Sequence, residues 1–560
     1  MKEAIISLLS KHTKLSKEQI ENLIEIPPSS ELGDYAFPCF VLAKELKKNP
    51  VEIAKSLAGI IKSGELEKVE ARGPYLNFFI NRTLLAEATL KEILKQKSKY
   101  GCSNTGKGKT IVIDMSSPNI AKPFGIGHLR STMIGNSIAE ISKYLGYKAI
   151  KLNYLGDWGT PFGKIILGWK KFGNEQKFKQ NPIKHLYELY VKVSQDASLE
   201  DDARKEFKLL EDGNKESIAL WKKFREYSLK DFNKIYSILK VEFNVISGES
   251  EYNDQMDKTI EELKRKSLLL EDQGAELVDL ETYGLGKCLI RKSDGATLYA
   301  TRDITAAIDR VKKYKADYLF YEVGQEQKLH FKQFFKVLEL MGYKWAKNCK
   351  HIDHGLYLDK DGKKFATREG KTIFMEDILD ETISLAKSEI AKREKLSEKA
   401  LLERAKSIAR AAIIYGDLRN YRSQDVIFDI SRFLEFEGNT GPYLLYSYAR
   451  SKSILRNAKS KKKIGKSKKF NKTDISESEK ALITELSKFP EVVQKSFENL
   501  SPNLIANYAF NISQKFNEFY HSNKVIGSDN EQFRLSLVNA FSIVLCNSLS
   551  LLAINTLEKM

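Results

Sequence analysis

The sequence predicts a multidomain α/β protein: a parallel-sheet core with a helical insertion, a small α+β domain before it and an all-α region after it. The length of 560 residues is enough for roughly three to five domains. Residues 110–154 follow the order strand, glycine-containing loop, helix and strand, which is the pattern of a βαβ unit. Beyond residue 371 the apolar residues recur almost entirely at helical spacing. These observations indicate a parallel sheet covered by helices, followed by a separate helical region.

The first 105 residues are predicted to form the small α+β domain. Apolar residues recur at helical spacing near its start and again over 41–57, around Pro50. Residues 75–80 are predicted as a strand. The stretch 101–109 combines glycine, serine, asparagine and lysine, as linkers do, and this sets the first domain boundary.

The parallel-sheet core is predicted over 106–371. Two apolar runs, 110–115 and 147–154, flank a helix and are predicted as strands. The apolar stripe of that helix comprises Leu129, Met133, Ile138, Ile141 and Leu145. A charged helical stretch, about 174–245, interrupts the core. Because ligands bind at the carboxyl ends of parallel strands, we expect a site in the loop after the first strand.

The α/β pattern resumes at residue 287. Residues 287–292 and 296–300 flank an Asp-Gly turn, which predicts a hairpin. A strand is then predicted over 316–323, and a helix over 329–341.

The C-terminal part is predicted as a helical junction over 372–430 and an all-α domain over 431–560. Large apolar residues at helical spacing are expected in its core, namely Phe516, Phe519, Phe541, Leu545, Leu549 and Leu552. One segment, 459–469, breaks the helical pattern with seven lysines around Gly465. A solvated loop and a direct contact with RNA both explain this segment.

Lysine and arginine number 92 against 74 aspartates and glutamates, which gives a net charge of +18. Such an excess favours a polyanionic partner, because cations that contact phosphates release condensed counterions. A lysine-rich proteome explains the excess equally well. Composition alone therefore does not name the partner.

The five cysteines contain no CxxC pair, so neither a disulfide framework nor a structural metal site is indicated. No apolar run reaches the roughly 20 residues that span a bilayer. The first residues lack the apolar core of a signal peptide. We therefore expect a cytoplasmic protein that does not enter the membrane.

The most informative stretch is the loop between the first core strand and its helix. The amino terminus of a helix presents unpaired N–H groups and the positive end of the helix dipole, so anions bind there. Gly125 and Gly127 permit close approach of the backbone, and the side chain of His128 can donate to a phosphate. A plain turn also contains such glycines, but the position after a strand and the histidine favour a phosphate site.

The sequence GIGH at 125–128 resembles the HIGH signature of the class I aminoacyl-tRNA synthetases, with glycine in place of its first histidine. The flanking residues 117–123 and 129–132 resemble the version found in the arginyl-tRNA synthetase family, and the likeness covers nearly the whole chain. It implies a Rossmann-type catalytic core. The residues that it implies for ATP binding are Gly125, Gly127, His128 and Lys364.

The resemblance also implies an activity, arginine–tRNA ligation. ATP would activate L-arginine to arginyl-adenylate, and the arginyl group would then pass to the 3′ terminal adenosine of tRNA(Arg). The expected partners are therefore ATP, L-arginine and tRNA(Arg).

Recognition of an arginine side chain needs a carboxylate for the guanidinium and a flat surface beside it. Tyr299 and Asp303 offer both. For Asp303 alone, a helix-start carboxylate stabilised by the dipole is the alternative explanation. The resemblance adds Glu249 at the guanidinium. It also implies contacts between the rest of the amino acid and Ser117, Asn119, His128 and Gln327.

Residues 363–371, KKFATREGK, occupy the place of the second ATP signature of this class, KMSKS, with Thr367 in place of its second lysine. The pyrophosphate leaving group needs at least one cation. The resemblance implies that Lys122 supplies the missing charge, and Mg²⁺ is expected to bridge the phosphates. The predicted catalytic residues are His128, Lys122, Lys364, Arg368 and Lys371.

Both ends of the chain resemble tRNA-binding parts of the family. Residues 33–36 and 71–78 resemble the amino-terminal domain that holds the outer corner of tRNA, and 436–450 and 508–521 resemble parts of the anticodon-binding domain. Aromatic residues beside cations suit the unstacked bases of a single-stranded loop. The predicted tRNA contacts are Asn439, Tyr443, Tyr508, Tyr520 and His521.

Two alternative functions stay open from the sequence. The departures at Gly125 and Thr367 are compatible with a catalytically inactive synthetase-like protein that still binds tRNA. A class I synthetase of another amino-acid specificity would share the ATP signatures. A monomer is the expected state for this family.

Overall fold

A computed structural model describes residues 2–293, 299–363, 374–392, 394–461 and 475–560 of the chain. The chain divides into two compact units. The first consists of Met1–Tyr100, Ser451–Phe489 and Asn511–Val544, and the second of Gly101–Arg450, Pro490–Phe510 and Leu545–Met560. Because the C-terminal helices contribute to both, neither unit is a continuous piece of chain.

The N-terminal part of the first unit is a three-stranded antiparallel sheet with helices, in the strand order β1-β3-β2. Its elements are α1 (Lys2–His12), α2 (Lys17–Leu23), β1 (Tyr35–Pro38), α3 (Phe40–Leu46), α4 (Pro50–Ile60), β2 (Leu66–Arg72), β3 (Tyr75–Ile80) and α5 (Arg82–Gln96). The predicted strand at 75–80 is confirmed. The helical pattern around Pro50 forms two helices, because Pro50 begins α4 and Asn49 caps it by accepting from the Val51 N–H.

The second unit is built on a parallel sheet of five strands in the order β11-β10-β4-β5-β6. The first elements of this unit are β4 (Thr110–Asp114), α6 (Ile126–Tyr144) and β5 (Lys148–Leu155), which confirms the predicted βαβ unit. Each residue of the predicted apolar stripe of α6 is buried. The stripe covers the sheet, as in other parallel-sheet folds.

Helices connect β5 to the next strand of the sheet. They are α7 (Thr160–Phe172), α8 (Glu175–Gln180), α9 (Pro182–Gln195), α10 (Glu200–Glu211) and α11 (Lys215–Leu239), and β6 (Val245–Gly248) follows. This helical run begins at Thr160, earlier than the charged stretch near residue 174 that predicted it.

A small antiparallel sheet, in the order β7-β8-β9, follows β6. The elements from here to the end of the core are α12 (Met256–Arg265), β7 (Leu270–Asp272), β8 (Ala275–Asp279), β9 (Lys287–Arg291), α13 (Tyr299–Tyr314), β10 (Tyr318–Gly324), α14 (Lys328–Leu340), β11 (Cys349–His354) and β12 (Tyr357–Leu358). The predicted strand at 316–323 and helix at 329–341 are confirmed.

The hairpin predicted over 287–300 is not formed as expected. β9 pairs with the preceding strand β8, and Tyr299 already begins the helix α13. Residues 294–298, which include the Asp-Gly turn, lie outside the described residues. Burial of Ile304 and Ala307 on one face of α13 explains why helix prevails over strand after the turn.

Helices make up most of the C-terminal part. The elements are α15 (Met375–Ala391), α16 (Glu398–Leu418), β13 (Val426–Ile427), α17 (Ile430–Phe433), α18 (Gly441–Lys461), α19 (Glu477–Ser487), α20 (Phe489–Glu498), α21 (Asn503–Ser522) and α22 (Glu531–Leu551). The six apolar residues predicted for this core are all buried. In the first unit, the ring of Phe516 stacks on that of Phe541 at 3.9 Å.

Helix α22 is long and apolar enough to cross a membrane by length and composition. However, 67% of its apolar window is buried inside the protein, as in a core helix. Residues 462–469 of the lysine-rich segment, and the side chains of 459–461, lie outside the described residues. A solvated loop and a contact with RNA therefore both remain as explanations of this segment.

Candidate active site

A cavity of about 670 Å³ opens at the carboxyl ends of the parallel strands in the second unit. Most of the residues predicted to bind arginine or ATP line it: Ser117, Asn119, Gly127, His128, Glu249, Tyr299, Asp303 and Gln327. They come from five separate stretches of chain. The sheet brings them together because its parallel strands end at one edge.

The loop after β4 is held in a strained conformation. Ser116, Ser117 and Ala121 all have left-handed backbone, with φ of 72°, 46° and 57°. The Ser116 N–H donates to Oγ of Ser131 at 2.9 Å, and the Ser117 N–H donates to Oδ1 of Asn153 at 3.2 Å. Surrounding structure must support such strain, which is typical of functional loops.

His128 lies in the first turn of α6 as a neutral hydrogen-bond donor. Its Nδ1 accepts from the Gly125 N–H at 3.1 Å, so its proton is on Nε2. Burial lowers the pKa of His128 to about 4, and the charges of His354 and Lys122 act in the same direction. The imidazole can therefore donate to a ligand without carrying charge at neutral pH.

Gly125 and Lys122 do not line the cavity. A Cβ at position 125 would lie 3.8 Å from Nδ1 of His128, an ordinary contact, so space does not require glycine there. Nζ of Lys122 lies 4.7 Å from the ring centre of Tyr190 on α9. Of the other predicted cations, Lys364, Arg368 and Lys371 lie outside the described residues.

Two carboxylates and an aromatic ring line the end of the cavity away from the start of α6. Tyr299 begins α13 with 62% of its surface exposed, and Asp303 follows one turn later on the same helix. Asp303 is the fifth residue of α13, beyond the first turn, which weakens the explanation that the helix dipole alone placed it there. Oδ2 of Asp303 lies 2.7 Å from Nε2 of His330.

Glu249 lies just after β6, facing the same end of the cavity. Burial raises the pKa of Glu249 to about 7; the nearby Arg302 opposes this rise, whereas Asp303 and Asp157 add to it. One guanidinium nitrogen of Arg302 lies 3.7 Å from Oε2 of Glu249. A bound cation would therefore favour the ionised form of this carboxyl group.

Residues 156–160, GDWGT, follow β5 and shape the end of the cavity at which Glu249 lies. A Cβ at Gly156 would lie 2.1 Å from Oδ1 of Asn119, so only glycine leaves room for that side chain. The buried carboxylate of Asp157 accepts from the N–H and Oγ of Ser250, at 2.9 and 3.0 Å. Asp157 therefore fixes the turn that presents Glu249.

Trp158, in the same stretch, is a packing residue. Its ring meets that of Trp221 edge to face at 6.0 Å.

Several candidate functional residues lie outside the motifs that the sequence analysis recognised. Asp114 lines the cavity, pairs with Arg310 at 2.8 Å and accepts from Oγ of Ser117 at 2.8 Å. His330, His354 and Glu322 also line the cavity. Asp114 and Glu322 lie at the carboxyl ends of the predicted strands 110–115 and 316–323, which was their only available signal. His330 lies in the predicted helix 329–341, and no strand was predicted over 349–354, where His354 lies.

The structure separates the predicted tRNA contacts by exposure. Tyr520 is 39% exposed and His521 is exposed, so both can meet a base. Tyr508 is only 4% exposed, and this prediction is wrong for a stacking contact because the ring packs in the protein core. Tyr443 is half-buried, 5.6 Å from the ring of Phe510. Oδ1 of Asn439 accepts from the hydroxyl of Tyr415 at 2.5 Å.

An exposed aromatic–cation pair on α18 was not among the predicted contacts. The guanidinium of Arg450 lies 4.7 Å from the ring centre of Tyr446, which is 40% exposed. Such a pair can stack on an unpaired base.

Three family models match the chain. "tRNA synthetases class I (R), catalytic domain" covers 89–430, "DALR anticodon binding domain" covers 444–560 and "Arginyl tRNA synthetase N terminal domain" covers 1–80.

Curated relatives match over nearly their whole length. The chain is 44% identical to an arginine–tRNA ligase of Clostridium perfringens, with 100% of both proteins covered. It is 46% identical to arginine–tRNA ligase 2 of Bacillus anthracis, with 98% of this chain and 97% of the relative covered. The fold is similar to that of the Thermus thermophilus arginyl-tRNA synthetase, with a TM-score of 0.83, 22% identity and coverage of 100% and 99%.

A catalytic-domain match over more than half of the chain, on a parallel sheet with its cavity at the strand ends, defines a class I aminoacyl-tRNA synthetase. Full-length identity above 40% narrows the assignment within that class. The chain belongs to the arginyl-tRNA synthetase family.

Proposed function

We propose that this chain is an arginine–tRNA ligase. It activates L-arginine with ATP to arginyl-adenylate and then transfers the arginyl group to the 3′ terminal adenosine of tRNA(Arg) in translation. One observation carries the proposal. A single cavity joins two carboxylates and an aromatic ring, suited to a guanidinium, to the helix start with His128, suited to a phosphate.

At the guanidinium end, Asp303 and Glu249 accept the N–H donors of arginine. Tyr299 supplies the flat surface beside the planar group. The guanidinium favours ionised Glu249, whose pKa of about 7 is otherwise raised by burial. Lysine, with a compact ammonium and no planar fork, would fill this end less well.

At the reacting end, a carboxylate oxygen of arginine attacks the α-phosphorus of ATP, and pyrophosphate leaves. Asn119, Gln327 and Ser117 bind the amino and carboxylate groups. The Nε2–H of His128 donates to a phosphate oxygen at the start of α6. Catalysis is therefore positioning and charge stabilisation, without a covalent enzyme intermediate.

Cations at the rim neutralise the leaving pyrophosphate. We assign this role to Lys122 together with Lys364, Arg368 and Lys371. Lys122 is supported by its charge, which acts on His128 from outside the cavity lining. Its contact with the ring of Tyr190 gives the side chain a defined position near the site.

Mg²⁺ is proposed as the companion of ATP. Among the described residues, no group of three or more His, Cys, Asp or Glu side chains could hold a metal. A protein cage is not required, because Mg²⁺ commonly binds through substrate phosphates and water. When bound, it neutralises charge on the phosphates.

The tRNA is proposed to meet exposed aromatic and basic residues of the C-terminal helices. Tyr520, His521, Tyr446 and Arg450 are the surface residues that support this interpretation. The net charge of +18 fits a polyanionic partner. We further propose a cytoplasmic monomer, since one chain carries matches to all three parts of the family; sedimentation of the purified protein tests the monomer.

Arginine-dependent exchange of pyrophosphate into ATP, with and without tRNA, tests the activity. We expect exchange with arginine when tRNA is present. Absence of exchange in folded protein would favour the catalytically inactive tRNA-binding alternative. Charging assays with arginine, lysine and glutamine would reveal another amino-acid specificity.

A further inference from the structure

A buried ion pair forms part of the cavity wall. Nδ1 of His354 lies 2.9 Å from Oε1 of Glu322, with 10% and 0% of the two side chains exposed. Both residues line the cavity. The mechanism described above uses neither of them.

The sheet register places the pair on the ATP side of the site. Strands β10 and β11 run parallel, with Glu322 opposite Ile352 and Gly324 opposite His354. Glu322 and His354 therefore share one face of the sheet. The hydroxyl of Ser131 on α6, the helix that carries His128, donates to the backbone oxygen of Glu322 at 2.9 Å, so Glu322 lies beside that helix.

The ring orientation leaves one nitrogen of His354 for a ligand. Because Nδ1 is bound to Glu322, the other nitrogen, Nε2, lies at the far side of the ring. It is 3.8 Å from where a Cβ would stand at Gly324, a residue of the cavity wall. Nε2 is therefore placed at the wall beside Gly324, where Oε2 of Glu326 also lies, 2.7 Å from the same Cβ position.

Glu322 also shifts the titration of His354 towards the protonated form. Oε2 of Glu322 is buried and meets no hydrogen-bond partner in the part of the chain that the structure describes. Burial lowers the pKa of His354, but the charge and hydrogen bond of Glu322 outweigh this, and the pKa is raised above its usual value. This shift favours the imidazolium form, in which Nε2 carries a proton as well as Nδ1.

Positive charge is otherwise scarce in this wall. No lysine or arginine occurs among the described residues that line the cavity. His128 is neutral, because its pKa is lowered to about 4. In its protonated form, His354 would therefore be the cation of this wall that a bound nucleotide triphosphate meets.

We propose that His354, positioned by its hydrogen bond to Glu322, is an ATP-binding residue whose Nε2–H donates to a phosphate oxygen of ATP. Glu322 is its positioning residue. The inference rests on the proposed function, since it assigns a further residue to the ATP site of the same reaction.

A double variant, His354→Phe with Glu322→Val, is the main test. It removes both charges and leaves an apolar pair of similar size, a change that buried ion pairs often tolerate. Loss of one charged hydrogen bond should raise the KM for ATP ~10-fold or more in pyrophosphate exchange. The KM for arginine and the melting temperature should stay close to those of the parent protein. A stable double variant with an unchanged KM for ATP would overturn the proposal.

His351→Phe is the matched control. His351 lies on the same strand, but its Nε2 lies 3.0 Å from the backbone oxygen of Val323 and its ring stacks on Phe331 at 4.3 Å. Phenylalanine keeps the stacking. We expect the KM for ATP to stay unchanged in this variant, and a rise as large as that in the double variant would contradict the specific role of His354.

The pH profile separates a binding role from a structural one. The pKa of His354 is raised, so its proton is present at low pH and is lost as pH rises through that pKa. The KM for ATP should therefore rise with pH in the parent protein. Glu322→Gln should move this rise to lower pH, and the double variant should lack it. If Glu322→Gln changes only the melting temperature, the pair is structural and the proposal fails.

Other charged groups face His354 and stay in place in these variants. Apart from Glu322 on β10, which the variants change, they are His128 and Arg130 from α6, Asp417 from α16 and Glu326 from the turn after β10. Among them, His128 has a pKa of about 4, so it is neutral near pH 7.

Failure of this inference and failure of the proposed function give different results. If the parent protein lacks arginine-dependent exchange, the proposed function fails and the inference with it. If the parent protein exchanges and the double variant matches it, only the inference fails. Calorimetric titration of the full-length protein with ATP provides a second readout, in which we expect weaker binding by the double variant.

Discussion

Oδ2 of Asp303 lies 2.7 Å from Nε2 of His330, and both side chains line the cavity. Asp303 is on α13, and His330 is on α14, which follows the next strand of the sheet. The hydrogen bond holds one carboxylate oxygen, Oδ2, and so fixes the orientation of the carboxylate in the cavity. The packing of α13 against α14 therefore sets the orientation of Asp303, which is proposed to bind the guanidinium of arginine.

Replacing Asp303 by asparagine should impair arginine binding far more than ATP binding. A carboxylate that pairs with a guanidinium contributes about 2–5 kcal/mol when the remaining charge is buried. The KM for arginine in pyrophosphate exchange should rise ~100-fold, with little change in the KM for ATP. Asp309→Asn on the same helix is the control, because Asp309 accepts from Tyr252 and lies outside the cavity lining. Equal effects on both substrates would contradict the assignment.

His330→Phe should raise the KM for arginine by a smaller factor, ~5–10-fold, because one hydrogen bond that orients Asp303 is lost. Phenylalanine can keep the stacking of His330 on Phe334. The KM for ATP should stay unchanged in this variant. If His330→Phe were as severe as Asp303→Asn, His330 would have to contact substrate itself.

The affinity for arginine should increase as pH rises through about 7. Glu249 has its pKa raised to about 7, so it is neutral below this pH and ionised above it. The guanidinium binds the ionised form, and the KM for arginine should therefore fall between about pH 6 and pH 8. Glu249→Gln should remove this dependence. Retention of the same pH profile in that variant would show that another group titrates.

Gly156→Ala should lower activity by displacing Asn119. The added Cβ would lie 2.1 Å from Oδ1 of Asn119, too close for any real contact. We expect a loss of at least ~10-fold in kcat/KM for arginine, as small misplacements of positioning groups produce. Gly59→Ala is the control, because no atom lies within 4 Å of its added Cβ. An active Gly156→Ala enzyme would show that Asn119 is not needed where the structure places it.

Lys122→Ala should slow adenylate formation ~100-fold, as loss of one stabilising donor does in other enzymes. Single-turnover formation of adenylate measures this step directly. Tyr190→Phe keeps the ring beneath Lys122 and should stay close to the parent rate. Unchanged adenylate formation in Lys122→Ala would mean that the cations of the loop at 363–371, and not Lys122, neutralise the leaving pyrophosphate.

Arg130→Met should destabilise the second unit by about 3–5 kcal/mol. Arg130 and Asp417 form a buried pair at 3.0 Å that joins α6 to α16, and the single change leaves Asp417 buried without its cation. Adding Asp417→Leu should recover much of the loss, because both charges are then absent. Urea unfolding of the parent protein and both variants measures the effect. No recovery in the double variant would show that packing, and not charge, dominates.

Local patterns predicted much of the fold. Strand β4, the loop with Gly127 and His128, and helix α6 follow one another in the chain, so periodicity and turn residues were enough. The hairpin after β9 shows the limit of such patterns. An Asp-Gly turn predicted a second strand, but the packing of α13 decided the conformation from Tyr299 onward.

The site was predictable where a motif or a resemblance marked it and not elsewhere. Asn119 and Asp303 were predicted in this way, and the structure brings them into one cavity. Asp157 lay in a stretch without an assigned role, although it fixes the turn before Glu249. Exposure was also invisible in the sequence: Tyr508 and Tyr520 occur on the same helix, but only Tyr520 reaches the surface.

By itself, the sequence determined the family, the order of the main elements and the residues at the start of α6, because these depend on short stretches of neighbouring residues. The tertiary structure alone decided which distant residues meet. Glu322 and His354 become a pair because two parallel strands align them at one edge of the sheet. Burial then sets their chemistry, since a carboxylate and an imidazole removed from water interact far more strongly than they would in the unfolded chain.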